Sequence, residues 1–157
     1  MSGLMQFRKS WVAVCLLLLL AACDSIEERV EKHYEAGEKL FEEGKLEKAL
    51  VEYKSAISLD PQHVASRYQL GRIQELQQKH SNAITEYLRV IEIQPSNALA
   101  RIRASNILIL AGELERAEEH IDEAAKVSPD DLELLLIRSL LRVRQSRFDE
   151  AEVDAKA

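Results

Sequence analysis

An all-α solenoid of helical hairpins is the fold this sequence predicts, and three observations carry the prediction. The chain has three prolines, Pro61, Pro95 and Pro129, spaced by 34 residues twice in succession. Proline lacks an N–H and clashes with the preceding helical turn, so each one stops a helix. A stop recurring at a fixed interval marks a repeated supersecondary unit. The same interval separates Ala49, Ala83, Ala117 and Ala151, a column of small residues suited to the point where two helices cross. The composition agrees: 46% apolar and 31% charged, but only 5% aromatic, which fits helices better than a β-sandwich or a disordered chain.

In chain order, the first element is not part of the solenoid. Residues 1–22 place Arg8 and Lys9 before an apolar run from Trp11 to Ala22. That run is well short of the roughly 20 residues that span a bilayer, and its small-residue ending describes an export signal. The ending "LAAC" resembles the bacterial lipobox, in which the peptide is cut before the cysteine and the thiol is acylated. The resemblance implies lipidation at Cys23; the plainer alternative is a signal cut at an A-x-A-like site, with Cys23 incidental. Cleavage there removes Cys15 and leaves no pair for a disulfide. It leaves 19 basic against 27 acidic residues, moving the formal charge from −6 to −8. That balance argues against a nucleic-acid binder, which needs a basic footprint. Residues 23–29 are expected to be a short linker.

From residue 30 the repeats follow: 30–63, 64–97, 98–131 and a partial fourth, 132–157. With the prolines in register, repeat position 8 holds Gly37 and Gly71, and position 24 holds Tyr53 and Tyr87. A glycine beside a large ring lets two helix backbones approach while the ring fills the adjoining space. Gly44 and Gly112 share a turn column where a left-handed conformation costs glycine least. Asn97 and Asp131 stand where N-caps are needed. Helix pairs are expected near 30–43/47–60, 64–77/81–94, 98–111/115–128 and 132–145/149–157.

These columns resemble the tetratricopeptide repeat (TPR), a 34-residue helix–turn–helix unit. The sequence departs from the family at position 4, where His33, Arg67, Arg101 and Leu135 replace the common aromatic. The resemblance implies a protein-binding scaffold whose inner surface is built from the first helix of each repeat. It carries over to Tyr34, Glu38 and Phe41, to Tyr68, Arg72 and Glu75, and to Ile102, Asn106 and Ile109. These residues give a groove that passes from acidic and aromatic to apolar. They lack the basic and amide pattern of the family's carboxylate clamp, so no preference for acidic C-terminal tails is expected.

No catalytic residue is expected. The histidines His33, His63, His80 and His120 fall in no metal-ligand spacing, and "EEHIDE" around His120 reads as a solvated acidic face. There is no Gly-rich phosphate loop and no GxSxG. The expected cofactors, metals and small-molecule substrates are therefore none, and the expected partners are proteins or peptides. The lipid implies attachment to the bacterial envelope, facing the periplasm. Asp24 resembles an inner-membrane retention signal, and the outer membrane stays open. "EKHYEAGEKLFEEGKLEKALVEYKSAISLDP" is similar to the first repeats of lipoproteins of the PEP-CTERM/exosortase sorting and exopolysaccharide system. A pilotin, an outer-membrane assembly lipoprotein and the regulatory arm of an envelope enzyme are the alternatives. Since Ala157 falls within the fourth repeat, the sequence also suggests the first part of a longer array.

Overall fold

The computed structural model describes residues 25–156, and every regular element among them is an α-helix. In chain order they are α1 (Ile26–Glu42), α2 (Leu46–Leu59), α3 (Val64–Leu76), α4 (His80–Ile93), α5 (Ala98–Ala111), α6 (Leu114–Val127), α7 (Leu132–Arg144) and α8 (Phe148–Lys156). Consecutive helices pair as hairpins, and the first helix of each later hairpin packs on the hairpin before it. Cys23 and Asp24 lie outside the described residues.

One boundary differs from expectation. Helix α1 begins at Ile26, so residues 26–29 are helix and not linker. The cause is a capping box. Ser25 Oγ accepts from the Glu28 amide at 3.1 Å, and the Glu28 carboxylate accepts from the Ser25 amide at 2.8 Å. The later repeats use one cap column for the same purpose: Asn97 Oδ1 and Asp131 Oδ1 accept from Ala100 and Leu134 amides at 2.9 Å. His63 is the third member, its Nδ1 accepting from the Ser66 amide at 3.3 Å.

The turns inside the hairpins are equally regular. Gly44 and Gly112 have φ of 72° and 81°, and the equivalent Gln78 and Ser146 are also left-handed, at 59° and 62°. Each turn carries the same closing bond, for example Lys45 N–H to Leu40 C=O and Lys79 N–H to Gln74 C=O, both 2.8 Å.

Within each hairpin the two helices meet at repeat position 8. A Cβ on Gly37 would lie 2.5 Å from Tyr53 Cε1, and one on Gly71 would lie 2.7 Å from Tyr87 Cε1. Both rings are fully buried. In the third and fourth repeats the residue is serine and the ring is gone, with Ile121 and Ala155 in its place. Ser105 Oγ then bonds the Ala117 carbonyl at 3.2 Å, sharing its proton with the Arg101 carbonyl, and Ser139 Oγ donates to Ala151 at 3.2 Å. The core runs between repeats as well as within them. Tyr53 packs with Leu70 and Ile73, Tyr87 with Ala104 and Ile107, and Ile121 with Leu134 and Leu141.

The position 4 departures are half of a paired column. His33 Nδ1 donates to Glu52 Oε2 at 2.7 Å, and Arg67 Nη1 donates to Glu86 Oε2 at 2.8 Å. Arg101 Nη1 lies 3.1 Å from His120 Nδ1, which as the acceptor must carry no proton. Arg67 Nε and Arg101 Nε also donate to the Pro61 and Pro95 carbonyls, at 2.7 and 2.9 Å, tying helix to proline turn. In the fourth repeat Leu135 takes position 4, and buried Asp154 is held instead by Arg138 at 2.8 Å and Arg142 at 2.5 Å. His120 is thus half-buried against a guanidinium, not simply part of a solvated acidic face. Burial, then the charges of Arg101 and Arg116, hold its pKa below the usual histidine range.

Three outcomes follow from this packing. Gly71→Ser should cost about 1–3 kcal/mol by overpacking against Tyr87, and Tyr87→Ile should cost a similar amount by opening a cavity. Combined, they recreate the Ser105–Ile121 pair, and denaturant melts should show recovery of about 1 kcal/mol or more relative to additivity. At the turns, Gln78→Gly should raise stability by about 0.5–1 kcal/mol, while Gly44→Ala should lower it by about 1 kcal/mol. As pH falls below the unfolded-histidine value near 6.5, the unfolded chain takes up a proton at His120 before the folded one does, so this site loses stability until its lowered folded pKa is passed. Comparing melting temperatures of wild type and His120→Gln at about pH 7 and pH 5 should show a smaller acid-induced drop in the variant.

Candidate protein-binding groove

The first helices of the repeats, α1, α3, α5 and α7, share one surface, and side chains joining them define its floor. Glu38 on α1 accepts from the Tyr53 phenol and from Gln69 Nε2 on α3, the latter at 2.6 Å. Gln69 Oε1 in turn accepts from Arg72 Nη1 at 3.0 Å, and the Arg72 guanidinium sits 4.8 Å from the centre of the Phe41 ring. One repeat further on, Glu75 accepts from the Tyr87 phenol at 2.8 Å. Arg103 on α5 lies 3.7 Å from Glu75 and 3.1 Å from Glu133 on α7. The floor is therefore a ladder of alternating charge crossing all four helices.

Packing sets the protonation of this ladder. Burial first, then the hydrogen bond to Glu38, pushes the Tyr53 hydroxyl far above the usual phenol range. Burial and the Glu75 charge do the same at Tyr87. Both phenols remain donors at any physiological pH, so they hold the two carboxylates in place. The hydroxyl of Tyr34 is also raised, by burial and then by the Glu38 charge.

Of the residues expected to line the groove, Glu38, Arg72 and Glu75 are brought together in the ladder. Asn106 stands half-buried on the same surface. Tyr34, Phe41 and Tyr68 are half-buried and turn toward the stacking interface. Tyr34 and Phe41 pack on the cluster of Tyr53, Leu70 and Ile73, and Tyr68 lies 5.7 Å from the Tyr87 ring. Ile102 and Ile109 are a correction. Each is only 1% exposed, enclosed with Ile121, Leu134 and Leu141, and no partner can reach them. Position 5 packs toward the next hairpin, as does position 12 at Phe41 and Ile109, whereas Glu75, also at position 12, turns to the floor.

The residues missed are at position 6, one helical step away: Gln69 and Arg103, which carry the bonds between helices. Their signal was a polar side chain about one repeat from an acidic one, Glu38 for Gln69 and Glu133 for Arg103. Positions 2, 6, 9 and 13, joined by Glu75 from position 12, thus form the floor, within which Gln69 is buried. On α1 these are Glu31, Glu35, Glu38 and Glu42; on α5 they are Leu99, Arg103, Asn106 and Leu110. Between α3 and α5 an open cavity of about 410 Å³ is lined by Arg72, Glu75, Leu76, His80 and Arg103. Among the described residues no cluster of His, Cys, Asp and Glu is arranged to hold a metal, and no helix is long and apolar enough to cross a membrane.

Comparison with known proteins agrees with this architecture. The sequence matches the family described as "TPR repeat" over residues 37–78, and families described as "Tetratricopeptide repeat" over residues 64–97 and 103–155. No curated protein matches the chain in sequence. Several solved structures share its fold. MamA 41-end from Desulfovibrio magneticus RS-1 superposes with a TM-score of 0.72 at 19% identity, over 81% of this chain and 72% of that one. A tetratricopeptide repeat protein from Parabacteroides merdae gives 0.73 at 19% identity, over 80% and 49%. The first TPR of Spaghetti (RPAP3), solved bound to the HSP90 peptide SRMEEVD, gives 0.64 at 15% identity, over 83% and 95%. At these identities the likeness is one of fold. The repeat matches, the helical hairpins and the shared superposition together make this chain a tetratricopeptide-repeat protein.

Proposed function

We propose that this protein is a lipid-anchored scaffold of the bacterial cell envelope, acylated at Cys23 and facing the periplasm, that binds proteins along its groove. The observation that carries the reading is the continuous floor contributed by α1, α3, α5 and α7, open along its length. The structure of the Spaghetti TPR with a bound peptide supports protein segments as the ligand class. "LAAC" supports the anchor. Because α1 starts at Ile26 and is capped by Ser25, Cys23 lies two residues from the helix cap, an extended reach of about 7 Å. An acylated Cys23 holds the first repeat against the bilayer, with the acidic face of α1 keeping it off anionic headgroups. Similarity to the PEP-CTERM/exosortase lipoproteins favours partners in protein sorting and exopolysaccharide export.

Cell fractionation tests the anchor. Intact-mass analysis of the wild type should give an acylated chain beginning at Cys23, and Cys23→Ser should leave the membrane fraction or remain unprocessed. An unmodified mature N-terminus at another residue would refute it. Photo-crosslinking from Arg72 and Asn106 in solubilised envelope, followed by mass spectrometry, tests the scaffold. Discrete crosslinked proteins that are lost on competition with unlabelled protein are expected, and their absence would count against the groove.

A further inference from the structure

The groove floor is not uniform, and its two ends differ in kind. On α1, Glu31, Glu35, Glu38 and Glu42 repeat at i, i+4, i+7 and i+11, which places four carboxylates in one stripe. Like charges at this spacing destabilise a helix, so the stripe works against the stability of α1. Glu38 is engaged by Tyr53 and Gln69, but Glu31, Glu35 and Glu42 are exposed and enter no ion pair among the described residues. Lys32 and Lys39 on the same helix lie outside the stripe and also form none.

The far end carries no acidic stripe: on α7 the charged floor residues are Glu133, paired with Arg103, and the exposed cation Arg144. On α5, Leu99 and Leu110 are 48% and 56% exposed on the floor, and on α7 Ile137 and Leu140 are half-buried there. The floor arginine between them, Arg103, is already balanced by Glu75 and Glu133. The cavity between α3 and α5 joins the two halves, with Leu76 on its wall.

We infer that the groove recognises one class of partner: an extended protein segment with lysine or arginine at one end and a cluster of apolar side chains at the other, the cationic end lying on α1. This inference rests on the reading of the groove as a protein-binding site, and charge complementarity selects the occupant. An acidic segment meets the unpaired glutamates and is repelled. A wholly apolar segment leaves that stripe without a counterion, and a wholly basic one leaves the leucines in water. Three steps between neighbouring helices, at about 10 Å each, are spanned by about nine extended residues.

The test uses the full chain in nonionic detergent and fluorescence anisotropy with three peptides of about ten residues. One carries lysines then leucines, the second replaces its lysines with glutamate, and the third replaces them with serine. The lysine–leucine peptide should bind at least about tenfold more tightly than the glutamate version, and its affinity should fall as salt rises from about 50 to 500 mM. Glu31→Lys with Glu35→Lys should abolish the preference while leaving the helical circular dichroism intact, since both side chains are exposed. Leu110→Glu should weaken binding at the other end. A photo-crosslinker on the cationic end should label α1, and labelling of α7 instead would overturn the assigned direction. Equal binding of all three peptides, still lost in Leu110→Glu, would overturn the charge preference and leave the groove as a protein-binding site. Binding of none of them would overturn both.

Discussion

The contact between Gly37 and the Tyr53 ring, repeated by Gly71 and Tyr87, is the constraint on which most of this molecule depends. A Cβ at either glycine would sit inside the ring's van der Waals envelope, so the first two hairpins close to a distance that only glycine allows. The same ring then reaches past the crossing and delivers its hydroxyl to the floor of the groove, at Glu38 in one repeat and Glu75 in the next. One residue therefore serves packing and surface chemistry together. In the third and fourth repeats the crossing is solved by a serine bonded to a carbonyl of the facing helix, and no phenol reaches the floor. Which repeats deliver a phenol to the floor follows from which repeats carry the glycine–tyrosine pair.

The fold was legible in the sequence because its constraints recur. Proline, alanine, glycine and tyrosine columns each state one geometric requirement several times, and the helix pairs they imply lie within a few residues of those observed. The start of α1 was missed because Ser25 and Glu28 lie before the first repeat, where no column draws attention to them. His63 escaped notice as a cap because histidine seldom fills that role, yet it stands in the column of Asn97 and Asp131.

The groove was less legible, for a geometric reason. Neighbouring positions on a helix are about 100° apart, so the accessible floor and the stacking face are adjacent stripes. Both stripes hold aromatic and aliphatic residues here, and hydrophobicity does not separate them. Glu38, Arg72, Glu75, Ile102 and Ile109 were all carried over from the family's groove positions; the charged three stay on the floor, and the two isoleucines bury into the stacking face because isoleucine fits either stripe. Gln69 and Arg103 are recognisable only once the offset between helices is known, since each answers a residue about one repeat away. The paired column at positions 4 and 23 was hidden for the same reason. Its members look unrelated, as histidine with glutamate, arginine with glutamate and arginine with histidine, until the structure puts them in contact.

Stacked repeats touch only their neighbours, and this locality separates stability from recognition. The burial that holds the array together lies at positions 8 and 20, at position 24 of the first three repeats, and in the stacking columns, all fully or partly inaccessible. The side chains that differ most between the ends of the floor, the α1 glutamates and the α5 leucines, lie outside those clusters. Charge on α1 can change without disturbing α5, and the exposed leucines of α5 can change without disturbing the crossing beneath Tyr53. A groove assembled this way can be tuned one helix at a time, at the cost that no single pocket holds a ligand. Recognition has to be spread over several helices, and each contributes only the chemistry its own repeat allows.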